Sequence, residues 1–378
     1  MAGVSFLASK MGYDVSGCDL EAGGHDINHL KNVDLLIVTP AVFYQSANHP
    51  ELIECQRRKI TLTWQEFLGK YLHKGKKVIC IAGTHGKSTT TAMVGKLLED
   101  AGFDPLVNLG ANYKAWHGGA RYGKGEYFVT EADEFFDNFL NYHPEIIILN
   151  TVEFDHPDYF KSEKQMRDSY QKFIGNLVGK KILITQEDSL QKRFNLKVFG
   201  EHNQKNANMA YLLGKKLGIK EETIIKSLES FPGIERRMEL ISGKGGIKVY
   251  DDYAHHPTAI KATLSAIREK YPKERIWAVY EAHSYSRTKA LLSKYKGVFD
   301  SADKVVIGPI FKARDTKNFG ISEESIKKAS GHKDAICFNE TSKMFKFLKD
   351  NLKSGDIILV MGAGKSYLWA KEICNLKI

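Results

Sequence analysis

The stretch VICIAGTHGKSTTTAMVGKLLEDAG, residues 78–102, decides the fold. The apolar run VICIA reads as a buried strand, the glycine-bracketed turn Gly83-Thr84-His85-Gly86 breaks it, and helical periodicity follows. In that context, backbone amides and the positive end of a helix hold phosphate. Gly83 and Gly86 allow a tight loop, Lys87 supplies positive charge for the β and γ phosphates, and Ser88 offers a hydroxyl to magnesium. Only two residues, Thr84 and His85, separate the glycines, where the usual nucleotide loop has four. The competing reading is an incidental turn. The hydroxyl run Ser88, Thr89, Thr90, Thr91 weighs against it, because such residues are poor core formers and good ligands for phosphate and cation.

Outward from this stretch, the chain of 378 residues is too long for one core and predicts two or three domains. With 43% hydrophobic and 26% charged residues the composition is that of a globular protein. A net charge of +10 favours anionic partners. No dense Lys/Arg block with interleaved aromatics appears, so nucleic acid is not expected. No apolar run approaches the roughly 20 residues of a membrane span, and the N-terminus lacks the pattern of a secretory signal. A cytoplasmic protein without membrane insertion, monomeric or weakly dimeric, is the expectation. Cys18, Cys55, Cys80, Cys337 and Cys374 are scattered and never paired as CxxC, which suggests neither a disulfide framework nor a zinc site.

Aliphatic runs alternate with helical periodicity almost throughout, the pattern of an α/β protein with mainly parallel sheets. Strands are predicted at 34–40, 77–83, 126–133, 145–151, 180–185, 247–253, 275–281, 303–308 and 356–362. Seams near 72–77 and 228–237 divide the chain into domains 1–74, 75–230 and 231–378. The chain opens on a helix with Val4, Leu7, Ala8 and Met11 on one face. YDVSGCDLE, residues 13–21, follows and looks like the second strand of a nucleotide-type βαβ unit ending at Asp19. The first domain is therefore expected to be Rossmann-like and to lack its first strand.

The carboxyl ends of strands form the ligand crevice of an open α/β sheet. TEADE and LNTVEFDHPDYF end two of them, so Glu131 and His156 are candidate cation ligands facing Lys87, with Asp155 and Asp158 beside His156 as an acidic cluster. Asn203 and Asn206 share a helix face and are suited either to an adenine edge or, for Asn203, to an N-cap. VYDDYAHHPTAI gathers Asp251, Asp252, His255 and His256, better suited to polar substrate contacts than to zinc. YEAHSYSRT presents His283 and Arg287, the latter able to clamp a carboxylate. MGAGKSY, residues 361–367, imitates a phosphate loop but reads as a backbone turn.

GTHGKSTTTAM, EADE, LNTVEFDHPDYF, GEHNQKNA, GIERRMEL, DDYAHHPTAI and HSYSRT, in this order, resemble the Mur ligase family over roughly residues 1–370. The resemblance implies three domains: a Rossmann-like UDP-sugar domain, a central P-loop ATPase domain and a Rossmann-like C-terminal domain. It implies an ATP-dependent ligase, using Mg2+ and an acyl-phosphate intermediate, that adds L-alanine to UDP-N-acetylmuramate. A near relative in the family instead reattaches a recycled tripeptide. The resemblance assigns the triphosphate to Lys87 and the amides of residues 83–89, and magnesium to Ser88, Glu131 and His156. It assigns adenine to Asn203 and Asn206, phosphates and ribose to Arg237 and Asp252, and the amino-acid pocket to His255, His283 and Arg287. Lys87, Glu131, His156 and His255 are the catalytic candidates. Ser284 stands where the alanine-adding branch usually has arginine.

Overall fold

The computed structural model describes residues 1–18, 24–45, 48–188, 191–242 and 244–376. They form two compact units: 1–152 with 164–188 and 212–224, and 153–163 with 189–211 and 225–378. In the first unit, β1 (Leu36–Val38) and β2 (Thr61–Thr63) make a small parallel pair. A six-stranded sheet follows from β3 (Lys77–Ala82), β4 (Leu106–Asn108), β5 (Ala120–Arg121), β6 (Tyr127–Glu131), β7 (Ile146–Leu149) and β8 (Ile182–Thr185). Its order is β5-β4-β6-β3-β7-β8, parallel except for the β4–β5 hairpin.

The second unit holds β9 (Glu239–Ser242), β10 (Lys248–Asp252), β11 (Ile276–Tyr280), β12 (Lys304–Ile307), β13 (Ala335–Cys337) and β14 (Ile357–Met361). They are ordered β13-β12-β11-β14-β10-β9, with only β9 antiparallel. Side chains alternate across this sheet. Tyr250, Ala278, Tyr280 and Leu359 meet Ile260, Leu264 and Ile267 on one face, while Val249, Trp277, Val279 and Ile358 meet Met344, Leu348 and Trp369 on the other. Burial on both faces explains why these strands are continuous apolar runs, as parallel sheets require.

All nine predicted strands form, each trimmed by one or two residues at one or both ends. The opening helix Ala2–Lys10 buries Val4, Leu7 and Ala8. Two corrections are needed. Residues 13–18 of YDVSGCDLE are not a strand; Tyr13 and Val15 are each 39% exposed, and without a buried face or a ladder the Asp-, Ser- and Gly-containing segment has no reason to extend. Asp19 lies outside the described residues. The hydroxyl run also divides. The Thr90 and Thr91 side chains are fully buried, and Thr90 Oγ accepts from Asn150 Nδ2 at 3.0 Å, so half of the run serves the core.

Candidate functional site

In the first unit, β3 ends at Ala82 and the helix Lys87–Asp100 begins four residues after Gly83. Gly83 has φ +122° and a Cβ there would lie 3.0 Å from Asn150; Gly86, at φ +81°, precedes the helix. Both are conformations that glycine adopts without strain. No side chain caps this helix, and its first-turn amides have no intrahelical acceptor. Thr84 differs from the sequence reading, because its N–H already donates to Thr151 O at 2.8 Å. That amide closes the turn.

Lys87 Nζ donates to Gly83 O at 2.6 Å and to Glu134 Oε2 at 2.8 Å, and the Glu134 side chain is 1% exposed. Burial alone would lower the Lys87 pKa; the charges of Glu134, Asp133 and Glu131 outweigh it and the pKa is raised, so the lysine is a fixed cation. Ser88 Oγ donates to Glu131 Oε2 at 3.1 Å, and Glu131 Oε1 accepts from the Gly110 N–H at 2.6 Å. A cavity of about 260 Å³ opens here, lined by Trp64, Lys87, Asn108, Gly110, Glu131 and Asp133 among others. An uncapped helix terminus, a fixed ammonium and a hydroxyl–carboxylate pair form a donor set that fits a nucleotide phosphate and a hard, oxygen-seeking cation such as magnesium. Glu134 was overlooked although EADE contains it; only the folded chain shows that it holds Lys87.

The second unit carries the remaining candidates. Asn206 Nδ2 donates to Asn203 Oδ1 at 3.4 Å, and Asn203 Nδ2 donates to Phe199 O at 2.9 Å. Both amides lie inside the helix Glu201–Lys216, so Asn203 is not its N-cap. On the same helix, burial and Arg237 lower the His202 pKa to about 4. Arg237 packs over Tyr253 with its guanidinium carbon 5.0 Å from the ring centre. Asp252 accepts from the N–H groups of Met238 at 2.8 Å and Ala254 at 2.7 Å; burial raises its pKa, with Arg237 opposing.

His156 adopts φ +53° and lies beside Asp155. Of the acidic cluster expected there, Asp155 is neutralised, because Arg287 Nη2 binds it and both are buried. Burial opposes ionisation of Asp155, yet Arg287 and the neighbouring histidines hold its carboxyl well below the usual carboxylate range. Arg287 is therefore a paired group. His255 Nδ1 donates to Tyr253 O at 2.8 Å, leaving Nε2 as an acceptor, and its ring centre is 5.8 Å from that of His283. Burial, then Arg287, keeps both rings neutral: the His255 pKa is well below its ordinary value and that of His283 about 4.

Ser284 adopts φ +65°, ψ +143°, a conformation costing a non-glycine residue of order 1–3 kcal/mol. Its hydroxyl accepts from the Arg287 N–H at 3.2 Å, which caps the helix Tyr285–Leu291.

MGAGKSY is confirmed as a turn with its own anion. Glu281 Oε2 accepts from the Ser366 N–H at 3.0 Å, and its carboxylate also takes the Gly364 and Lys365 amides. Arg236, another residue the sequence reading passed over, closes the turn by donating to Gly362 O at 2.8 Å and to Ser366 Oγ at 3.1 Å.

This architecture and its glycine turn define a class of protein, and the chain belongs to the Mur ligase family. Residues 81–195 match the Mur ligase middle domain, and residues 236–364 the Mur ligase glutamate ligase domain. UDP-N-acetylmuramate–L-alanine ligase of Desulforapulum autotrophicum is 32% identical, over 97% of this chain and 94% of the relative. The protein of the same name from Acetivibrio thermocellus is 33% identical, over 97% and 92%. Among solved structures, the UDP-N-acetylmuramate–alanine ligase of Thermotoga maritima superposes with a TM-score of 0.76 at 23% identity, covering 98% of this chain and 90% of that one. A murein peptide ligase from Psychrobacter arcticus reaches 0.68 at 24% identity, covering 100% and 96%. At such identities, the likeness to these two structures shows the shared three-domain fold.

Proposed function

We propose that this protein is an ATP-dependent ligase that joins L-alanine to UDP-N-acetylmuramate in the synthesis of peptidoglycan precursors in the cytoplasm. The observation that carries the reading is Lys87, fixed at an uncapped helix terminus beside the Ser88–Glu131 pair. Full-length relatives named for alanine addition support the choice of amino acid. Domains 1–74, 75–230 and 231–378 are the proposed sugar-nucleotide, ATP and amino-acid modules.

A carboxylate is a poor electrophile until phosphorylated. Lys87 and the amides of residues 85–89 hold the triphosphate so that the sugar-linked carboxylate attacks the γ-phosphorus in line, and the ammonium stabilises the charge gathering there. Ser88 and Glu131 would hold magnesium, which when bound would supply neutralisation of phosphate charge; His156 is assigned as a further ligand. Asn203 and Asn206 are assigned to adenine, and Arg237 and Asp252 to phosphate and ribose. His255, a neutral ring with Nε2 open, accepts a hydrogen bond from the incoming amine, while His283 and the Asp155-braced Arg287 shape the pocket. The amine then displaces phosphate through a tetrahedral intermediate.

The test is phosphate release with ATP, Mg2+, UDP-N-acetylmuramate and a panel of acceptors, read by the mass of the UDP-linked product. Release that requires both sugar nucleotide and L-alanine is the expected result. Turnover only with the tripeptide would assign the recycling reaction, and nucleotide binding without turnover would leave a binding protein.

A further inference from the structure

Ligands 7 and 26 residues apart escape any search for CxxC spacing, which is why Cys18 reads from the sequence as an unremarkable thiol. The fold brings it to His25 and Glu51 in the first unit. Cys18 Sγ lies 3.3 Å from His25 Nδ1 and 3.4 Å from Glu51 Oε2, and His25 Nδ1 is 3.4 Å from the same oxygen. A tetrahedral zinc with bonds of about 2.3 Å to sulfur and about 2.0–2.1 Å to nitrogen and oxygen separates its ligand atoms by about 3.3–3.6 Å. The three observed edges fit one face of that tetrahedron.

The surroundings are those of a built site. Glu51, in the first turn of the helix Pro50–Arg57, is 3% exposed, an expensive place for a carboxylate without compensation. Its second oxygen, Oε1, accepts from the Asp26 N–H at 3.0 Å and from His29 Nδ1–H at 3.0 Å, so Oε2 is aimed at Cys18 and His25. Burial pushes against ionisation, yet the hydrogen bonds from Cys18, His29 and Asp26 leave the carboxyl pKa lowered. His25 also packs edge-on against His49, with ring centres 4.4 Å apart, which fixes its plane. Cys18 and His25 retain solvent exposure, giving an ion a path in.

We propose that Cys18, His25 and Glu51 bind a zinc-class divalent cation, with water in the fourth position and His29 as the positioning residue for Glu51. Binding releases the Cys18 thiol proton to solvent as the metal–sulfur bond forms. The thiolate and imidazole select a borderline-soft ion over magnesium, which keeps this site chemically separate from Ser88 and Glu131.

The experiment uses the reduced, chelator-treated full chain and titrates Co2+ alone. One equivalent is expected to produce thiolate-to-cobalt charge-transfer absorption that Zn2+ abolishes, that excess Mg2+ leaves in place, and that is absent from Cys18→Ser. In parallel, Zn2+ is expected to slow alkylation of Cys18 by at least about tenfold in the wild-type chain, read by peptide mass, without protecting Cys337 or Cys374. His29→Ala is expected to keep the same cobalt spectrum with affinity weakened about 10–100-fold. No charge-transfer band in the wild-type chain, a band that survives in Cys18→Ser, or unchanged Cys18 alkylation with Zn2+ would reduce the triangle to ordinary hydrogen bonding and overturn the proposal.

Discussion

Removing the Lys87 ammonium is expected to injure the fold as well as the chemistry. Its 2.8 Å partner Glu134 is 1% exposed, so Lys87→Ala takes the cation from a buried carboxylate. Breaking a buried pair from one side costs about 3–5 kcal/mol, a large part of the roughly 5–15 kcal/mol that holds a domain together. In the wild type, the raised Lys87 pKa makes its contribution fully present below the unfolded lysine value of about 10.4 and lost as pH rises through the folded one.

Lys87→Ala/Glu134→Gln removes the stranded charge and should recover all but about 1–2 kcal/mol. Phosphate release should stay at least about 10²-fold down in both variants, because neither restores the cation. Urea unfolding of the three proteins between pH 5 and 8, beside the release assay, reads both quantities. A wild-type urea midpoint for Lys87→Ala, or turnover regained in the double variant, would refute the reasoning.

Three further outcomes are expected. Gly110→Ala sets a Cβ 2.9 Å from Glu131 Oε1, and the Mg2+ concentration for half-maximal rate should rise about tenfold while thermal stability changes little, read by Mg2+ titration and by melting. His202 and His283, with pKa values of about 4, and His73, at about 3 through burial, are neutral in the folded state. Each withdraws up to about 1.4 kcal/mol of stability per pH unit as pH falls from 6.5 toward its folded value. His73→Phe, which removes two buried ring nitrogens without hydrogen-bond partners, should blunt that loss and stabilise at pH 7 by about 1–3 kcal/mol in urea titrations; an unchanged pH profile would contradict it. Asp155→Asn strands Arg287 and should cost about 3–5 kcal/mol at pH 7. Because the Asp155 pKa is depressed, the wild-type advantage exists above about pH 4 and fades below it, which urea midpoints from pH 7 to 2.5 would reveal.

What the sequence revealed follows how local each signal is. The long strands β3, β7, β11 and β14 carry four or five apolar residues in a row and are bounded by turns, so they can be read directly. β4, β13 and β2 have three residues and β5 two, too few to show a period, and they form because a neighbouring strand offers a ladder. The strand, the turn of Gly83 and Gly86 and the helix opening at Lys87 were legible because strand–turn–helix is a contiguous device. Glu134 holding Lys87 and Asp155 holding Arg287 were not, since each pairing joins residues 47 and 132 positions apart. For the same reason, the hydroxyls of Ser88 and Thr91 look alike in the sequence although one faces a carboxylate and the other the interior.

Glu281, the residue that follows β11, fills the amides of the second glycine turn as a tethered competitor would. A tethered carboxylate is present at an effective concentration of order millimolar or more, whatever the level of free nucleotide, and it never diffuses away. Any phosphate arriving at Gly364 to Ser366 must therefore evict an anion already bonded to the amides it needs. One chain thus holds two look-alike loops, and the glutamate just past β11 fills the amides of one of them from within.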